Sequence, residues 1–331
     1  MILSALMAAC GAPEPVVPPD PVTVGFCDAW NTTVLDPGQL AEADATVAAA
    51  AALGIPIVRP HRPRGHVFSM NLVWRGDAPA RWDLPDAVVV SAGRLGVSLL
   101  ATLYPEADPM SGTGTMPIVV PDDRIAWSAF VTATVERYDG DGIDDMPGLV
   151  MPVRSWEIAN EPDCTADDVG CITGFTELVS LTTDGVRAAD PGAFVIAGAS
   201  QPLILDDGSR NDGAEAVVRS LRDSGALDGT DALNVHLATG RVAVGVGEIL
   251  DEWLEIVGKR PIWITEIGTR SIRDEAIVAD EEAAEAAWLL DAFDQAAARD
   301  STHVFWCITG GGIDRFPAVT GAIQAYIAGE P

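Results

Sequence analysis

Ser155-Trp-Glu-Ile-Ala-Asn-Glu-Pro162 is a short apolar run that closes on a glutamate and a turn residue, and Pro261-Ile-Trp-Ile-Thr-Glu-Ile-Gly268 repeats the design. Glu161 and Glu266 thus stand 105 positions apart, each at the tip of a predicted strand. Working outward, strand-like runs recur at Thr23–Cys27, Ile55–Arg59, Val97–Leu103, Ser155–Asn160, Ala193–Ala199, Ala232–Leu237, Ile262–Ile267 and His303–Ile308. Helical patterns fall between them near 37–53, 84–95, 122–137, 173–189, 213–224, 246–257 and 280–298, with a last one at 317–328. The first helix has Asp36 as its cap and Pro37 at its first position, and it stops at Gly54. Eight strand–helix units in alternation, without a domain-sized break in composition, predict an α/β fold, a single (β/α)8 TIM barrel. A doubly wound sheet is the alternative, but it rarely supplies eight such units in sequence.

In such a barrel, chemistry gathers at the C-terminal ends of the strands. Glu161 closes the fourth strand and Glu266 the seventh, and Arg59, Asn160, His236 and Trp306 also fall at or near strand ends. Trp30 and Asn31, just past the first strand, are further candidates for binding substrate. Paired carboxylates serve glycosidic cleavage: one protonates the leaving oxygen while the other attacks or activates water. A lone strand-end glutamate is usually a solvated rim group, but two in matching contexts make that coincidence improbable. Trp156 and Trp263, inside their strands, read as core residues.

The motifs resemble those of the clan A glycoside hydrolases, the barrel families around families 5 and 39, over essentially residues 22–331. Asn160-Glu161-Pro162 matches the clan's acid/base motif and Thr265-Glu266-Ile-Gly268 its nucleophile motif, while Arg59, His236 and Trp306 match residues around the catalytic pair. The resemblance implies a retaining mechanism, with Glu161 as general acid/base, Glu266 as nucleophile and carboxyl groups roughly 5–5.5 Å apart. It also implies that Arg59 keeps Glu266 ionised, that Asn160 bonds the sugar 2-hydroxyl, and that Trp306 is a flat floor for a sugar ring. No cofactor is required for this catalysis. One departure stands out: His236-Leu-Ala-Thr-Gly240 lacks the clan's aromatic after the histidine, leaving Thr239 as a weak substitute.

The chain carries 49 acidic against 20 basic residues, a net charge of −29. That charge repels nucleic acid and anionic membranes and favours a neutral or cationic partner. Lys259 is the only lysine, which coding bias explains more simply than salt adaptation. Residues 1–10 resemble the tail of a bacterial lipoprotein signal ending at Cys10, although no Lys or Arg precedes the run and it is short, as in a truncated signal. Residues 11–21 form a proline-rich linker, and 22–331 the catalytic domain. The expected setting is the bacterial cell envelope or the medium, as a monomer touching membrane only through a lipid on Cys10. In that setting Cys164 and Cys171 are expected to pair in a disulfide, whereas Cys27 and Cys307 are expected to be buried free thiols.

Tyr138-Asp-Gly-Asp-Gly-Ile-Asp-Asp145 alternates aspartates with glycines. Asp139, Asp141, Asp144 and Asp145 could present oxygen ligands to a structural calcium ion, but the pattern lacks the bidentate glutamate of an EF-hand. A solvated acidic turn is the simpler reading. The sequence therefore favours a retaining glycosidase acting on a poly- or oligosaccharide. A non-hydrolytic carbohydrate-binding surface lipoprotein and a transglycosylase are the alternatives.

Overall fold

The computed structural model describes residues 20–330 except 30–36, 62–66, 75–78, 106–119, 163, 199–200, 202, 205–208, 239–244, 269–278 and 310–311. Its strands are β1 (Thr23–Ala29), β2 (Ile57–His61), β3 (Phe68–Ser69), β4 (Ser98–Tyr104), β5 (Ser155–Ile158), β6 (Phe194–Ile196), β7 (Leu233–Ala238), β8 (Ile262–Gly268) and β9 (His303–Thr309). The helices are α1 (Pro37–Ala52), α2 (Met70–Val73), α3 (Asp83–Leu95), α4 (Arg124–Tyr138), α5 (Val169–Ala189), α6 (Asp212–Asp223), α7 (Val246–Val257), α8 (Ala279–Ala297) and α9 (Pro317–Ala328). Every strand pairing is parallel, in the order β6-β5-β4-β2-β1-β9-β8-β7. A parallel bridge between Ile196 and Ala232 joins β6 to the start of β7 and completes the circle. This is the (β/α)8 TIM barrel that the alternation predicts. The short β3 and α2, in the connection after β2, are additions that the sequence pattern does not reveal.

Local chemistry sets the helix limits. Asp123, Asp168 and Asn211 cap α4, α5 and α6 by accepting from the amides of Ala126, Cys171 and Ala214. Gly96 and Gly329 end α3 and α9 in the left-handed conformation that glycine adopts without strain. Among the described residues, no helix is long and apolar enough to cross a membrane.

The apolar residues divide into two bodies. One fills the layer between sheet and helices. The other lies inside the barrel and comprises Cys27, Ile57, Leu100, Ile196, Ala232, Trp263, Phe305 and Cys307, with Phe194 against it. Trp263 is its centre, stacked on Phe194 at 5.0 Å and on His303 at 3.6 Å between ring centroids. Gly25 is required beside it, because a Cβ there would lie 2.3 Å from the Phe305 ring.

Cys27 and Cys307 correct the sequence reading. They form a disulfide, because barrel closure makes the first and last strands neighbours and the register sets Cys27 directly opposite Cys307. Their Cα atoms are 4.4 Å apart, although 280 positions separate them in the chain. Cys164 and Cys171 are paired as expected, with Cα atoms 5.6 Å apart.

Burial lowers the His303 pKa to about 4 from its ordinary 6.5. Between those values the unfolded chain binds the proton that the folded protein refuses, so stability falls as the pH drops from 6.5 and levels off below about 4. Thermal melts of the protein and of His303→Gln should therefore converge toward acid, the variant losing less between pH 7 and pH 4. The difference should be on the order of 2 kcal/mol.

Candidate active site

Two backbone irregularities bring the glutamates to the barrel mouth. Strand β5 ends at Ile158, and Ala159 and Glu161 then take left-handed backbone, with φ of 58° and 43°. A straight strand turns successive side chains to opposite faces. The two left-handed residues on either side of Asn160 break that rule, and consecutive side chains both reach inward: Asn160 to Arg59 and Glu161 to His236. Such conformations cost roughly 1–3 kcal/mol each and cluster at functional sites.

Glu266 arrives differently. Val235 pairs with Ile264 but His236 with Glu266, and on the other side Ile264 pairs with Val304 but Ile267 with Trp306. Strand β8 therefore carries one extra residue at Thr265–Glu266, a bulge. Trp263 faces the barrel interior, so unbroken alternation would turn Glu266 outward beside Ile264. The bulge resets the phase and aims the carboxylate at the axis.

Arg59 on β2 is fully buried and joins these pieces. Its Nε donates to Glu157 Oε2 at 2.6 Å, Nη1 to Glu266 Oε1 at 2.7 Å and Nη2 to Asn160 Oδ1 at 2.6 Å. Glu157, also fully buried, accepts in addition from Thr102 Oγ1 at 2.7 Å and Asn234 Nδ2 at 2.8 Å. Burial alone would push the Glu157 pKa up, but Arg59, His236 and the two hydrogen bonds outweigh it and hold the carboxyl below its ordinary range. Burial likewise opposes the charge on Arg59, and Glu157 and Glu266 outweigh it, raising the pKa of the guanidinium.

His236 lies between the candidate catalytic groups. Its Nδ1 is 2.8 Å from Glu161 Oε1 and its Nε2 3.6 Å from Glu266 Oε1. One carboxylate oxygen of Glu161 and one of Glu266 lie within 4.8 Å of each other. The Glu161 side chain is 40% exposed and that of Glu266 only 12%, so the first meets solvent and the second is held deeper.

Arg59, Asn160, Glu161, His236 and Glu266 thus converge as the sequence pattern suggests. Trp306 does not. It faces outward from β9, fully buried against Phe26 and Phe316, so it has no open face for a sugar ring. The reason is its phase: Phe305 and Cys307, on either side, take the inward positions. Trp30, Asn31 and Thr239 lie outside the described residues. Glu157, Thr102 and Asn234 are the residues that sequence reading missed. For Glu157 a signal existed, since a carboxylate between Trp156 and Ile158 inside an apolar strand demands a buried partner.

In the acidic turn, both Asp145 oxygens accept from backbone amides, of Gly140 and Gly142, and Asp141 accepts from Ile143. Carboxylate oxygens of Glu136, Asp139 and Asp141 lie within 4.8 Å of one another, so two of the four aspartates expected to face calcium share this group with Glu136.

No protein-family model and no curated protein matches the sequence. The fold nonetheless has relatives. It is similar to solved glycoside hydrolases. A family 39 glycoside hydrolase from Bacteroides cellulosilyticus WH2 superposes with a TM-score of 0.61 at 15% identity, over 93% of this chain and 63% of that one. The family 39 enzyme of Xanthomonas axonopodis pv. citri gives 0.66 at 16% identity, covering 95% of this chain and 68% of the other. An endo-1,4-β-mannanase from Rhizomucor miehei gives 0.60 at 14% identity, over 95% and 98% of the two chains. At these identities the likeness is one of fold. The barrel expected from the sequence over residues 22–331 is thus a fold that these enzymes share.

Glu157 is expected to support the site without reaching substrate. Glu157→Ala would leave the buried Arg59 Nε unpaired and should cost about 3–5 kcal/mol in denaturant unfolding. Glu157→Gln keeps the shape and should cost less. Because the folded-state pKa of Glu157 lies below its ordinary 4.5, the carboxylate's contribution is complete above that pH and is lost as pH falls through the folded value. The Gln variant should lack that acid-dependent part of the melt.

Proposed function

We propose that this protein is a retaining glycoside hydrolase that cleaves O-glycosidic bonds of a poly- or oligosaccharide by double displacement. The observation that carries the reading is the approach of a Glu161 and a Glu266 oxygen within 4.8 Å at the barrel mouth. That approach suits the roughly 5–5.5 Å of retaining sites better than the 6.5–9.5 Å that leaves room for an intervening water. Barrel relatives named as glycoside hydrolases support the same reading.

In this reading the more exposed Glu161 gives its proton to the departing glycosidic oxygen while Glu266 attacks the anomeric carbon. The product is a covalent glycosyl-enzyme. Glu161, now ionised, then takes a proton from water as that water releases the sugar. His236 Nδ1, bonded to Glu161 Oε1, fixes the direction of the acid/base. Arg59 compensates the charge of Glu266 and, by engaging Asn160 Oδ1, turns the Asn160 amide nitrogen into the donor for substrate. Binding alone has no use for two carboxylates this close, which favours turnover over a purely carbohydrate-binding role. Export to the cell envelope, with Cys10 as lipid site, fits a chain stapled by two disulfides.

Aryl β-glucosides, β-xylosides and β-mannosides should be assayed, with the anomer of the first product read by proton NMR. Retention is expected, and inversion would overturn the mechanism. Glu266→Gln should abolish turnover of every substrate. Glu161→Ala should still form the glycosyl-enzyme from an activated aryl glycoside, and azide should restore its turnover. Azide rescue of Glu266→Ala with a retained product would exchange the two roles.

A further inference from the structure

Cys27 and Cys307 do more than fasten a seam. Their side chains point into the barrel and are 2% exposed. Arg59 Nη1, which donates to Glu266 Oε1 at 2.7 Å, lies 3.7 Å from Cys27 Sγ. Both sulfurs and a Glu266 carboxylate oxygen lie within 4.8 Å of one another. On the other side, the Phe305 ring lies over Gly25 and belongs to the same buried cluster as both cysteines. The disulfide is therefore a thin partition, with aromatic packing below and the Arg59–Glu266 ion pair above.

We propose that the Cys27–Cys307 disulfide is a positioning element for Glu266: its uncharged sulfurs are the floor on which the Arg59–Glu266 pair rests, and breaking the bond disturbs the attack on the sugar. The proposal rests on the assignment of Glu266 as nucleophile. Its physical basis is packing. A disulfide sulfur is a weak acceptor, so Arg59 Nη1 stays committed to Glu266. Two reduced thiols need van der Waals separation, so at least one sulfur must leave its place against the ion pair. A sulfur that moves against Arg59 Nη1, now 3.7 Å from Cys27 Sγ, would shift the guanidinium relative to Glu266. The neighbouring ionisable side chains, Glu157 and His236, are held by their own hydrogen bonds.

The test uses the full chain with Cys164→Ser/Cys171→Ser, so that Cys27–Cys307 is its remaining disulfide. A water-soluble phosphine reduces that bond: the phosphine becomes its oxide, with oxygen from water, and the water protons complete two thiols. With a dinitrophenyl glycoside, whose leaving group needs no acid, kcat should fall at least about tenfold while KM changes little, since attack geometry is that sensitive. The guanidinium 15N NMR signal of Arg59 should shift, and reoxidation should restore both. Cys27→Ala/Cys307→Ala, which removes the sulfur floor without reductant, should also lower kcat. A lower melting temperature with unchanged kcat and an unmoved Arg59 signal would overturn the proposal and make the disulfide a staple only. If the oxidised wild type turns over no aryl glycoside, the hydrolase reading fails on its own. The Arg59 signal then decides: a shift supports the positioning role and no shift overturns it.

Discussion

The buried ion pair between Arg59 and Glu157 is the interaction on which the rest of the site depends. Neither side chain is exposed, and each charge is compensated within the barrel. A buried pair of this kind is weak evidence for stability, because desolvating two ions offsets most of their attraction. Its value here is geometric. With Nε fixed on Glu157, the two terminal nitrogens of the planar guanidinium are aimed, one at Glu266 and one at Asn160. A lysine could not do this, having one point charge and no rigid fork. Thr102 and Asn234 hold Glu157 from two further strands, so β2, β4, β5, β7 and β8 all meet through one carboxylate and one guanidinium.

The barrel interior is divided along its axis by this arrangement. The N-terminal part is aromatic, built from Trp263 with Phe194, His303 and Phe305 stacked around it. The C-terminal part is a charged network open to the mouth at Glu161. The Cys27–Cys307 bridge lies at the boundary and joins the ends of the barrel chain. By closing a loop of nearly the whole domain, it restricts the unfolded chain far more than the short Cys164–Cys171 loop does.

Both irregular stretches of backbone coincide with the glutamates. The left-handed residues Ala159 and Glu161 and the bulge at Thr265–Glu266 each break strand alternation where a carboxylate must reach the axis. Regular strands would present every second side chain to the barrel, which is too few directions for Asn160 and Glu161 together. Strain at these positions is the cost of convergence, and the surrounding regular barrel sustains it.

The sequence by itself determined the barrel, because alternating strand and helix periods are local signals that a linear reading can detect. It also pointed to Glu161 and Glu266, to Arg59, Asn160 and His236, which the barrel brings together, and to the Cys164–Cys171 bridge. What it could not supply was phase and proximity. Trp306 looks like an open platform until the register of β9 against β1 turns it into the outer layer. Cys27 and Cys307 look unrelated until closure makes their strands adjacent. Glu157 looks like a strand residue until Arg59, 98 positions away, reaches it from β2. Which face a side chain takes, and which distant residue it meets, depends on a register set by the whole closed sheet, and only the tertiary structure decided that.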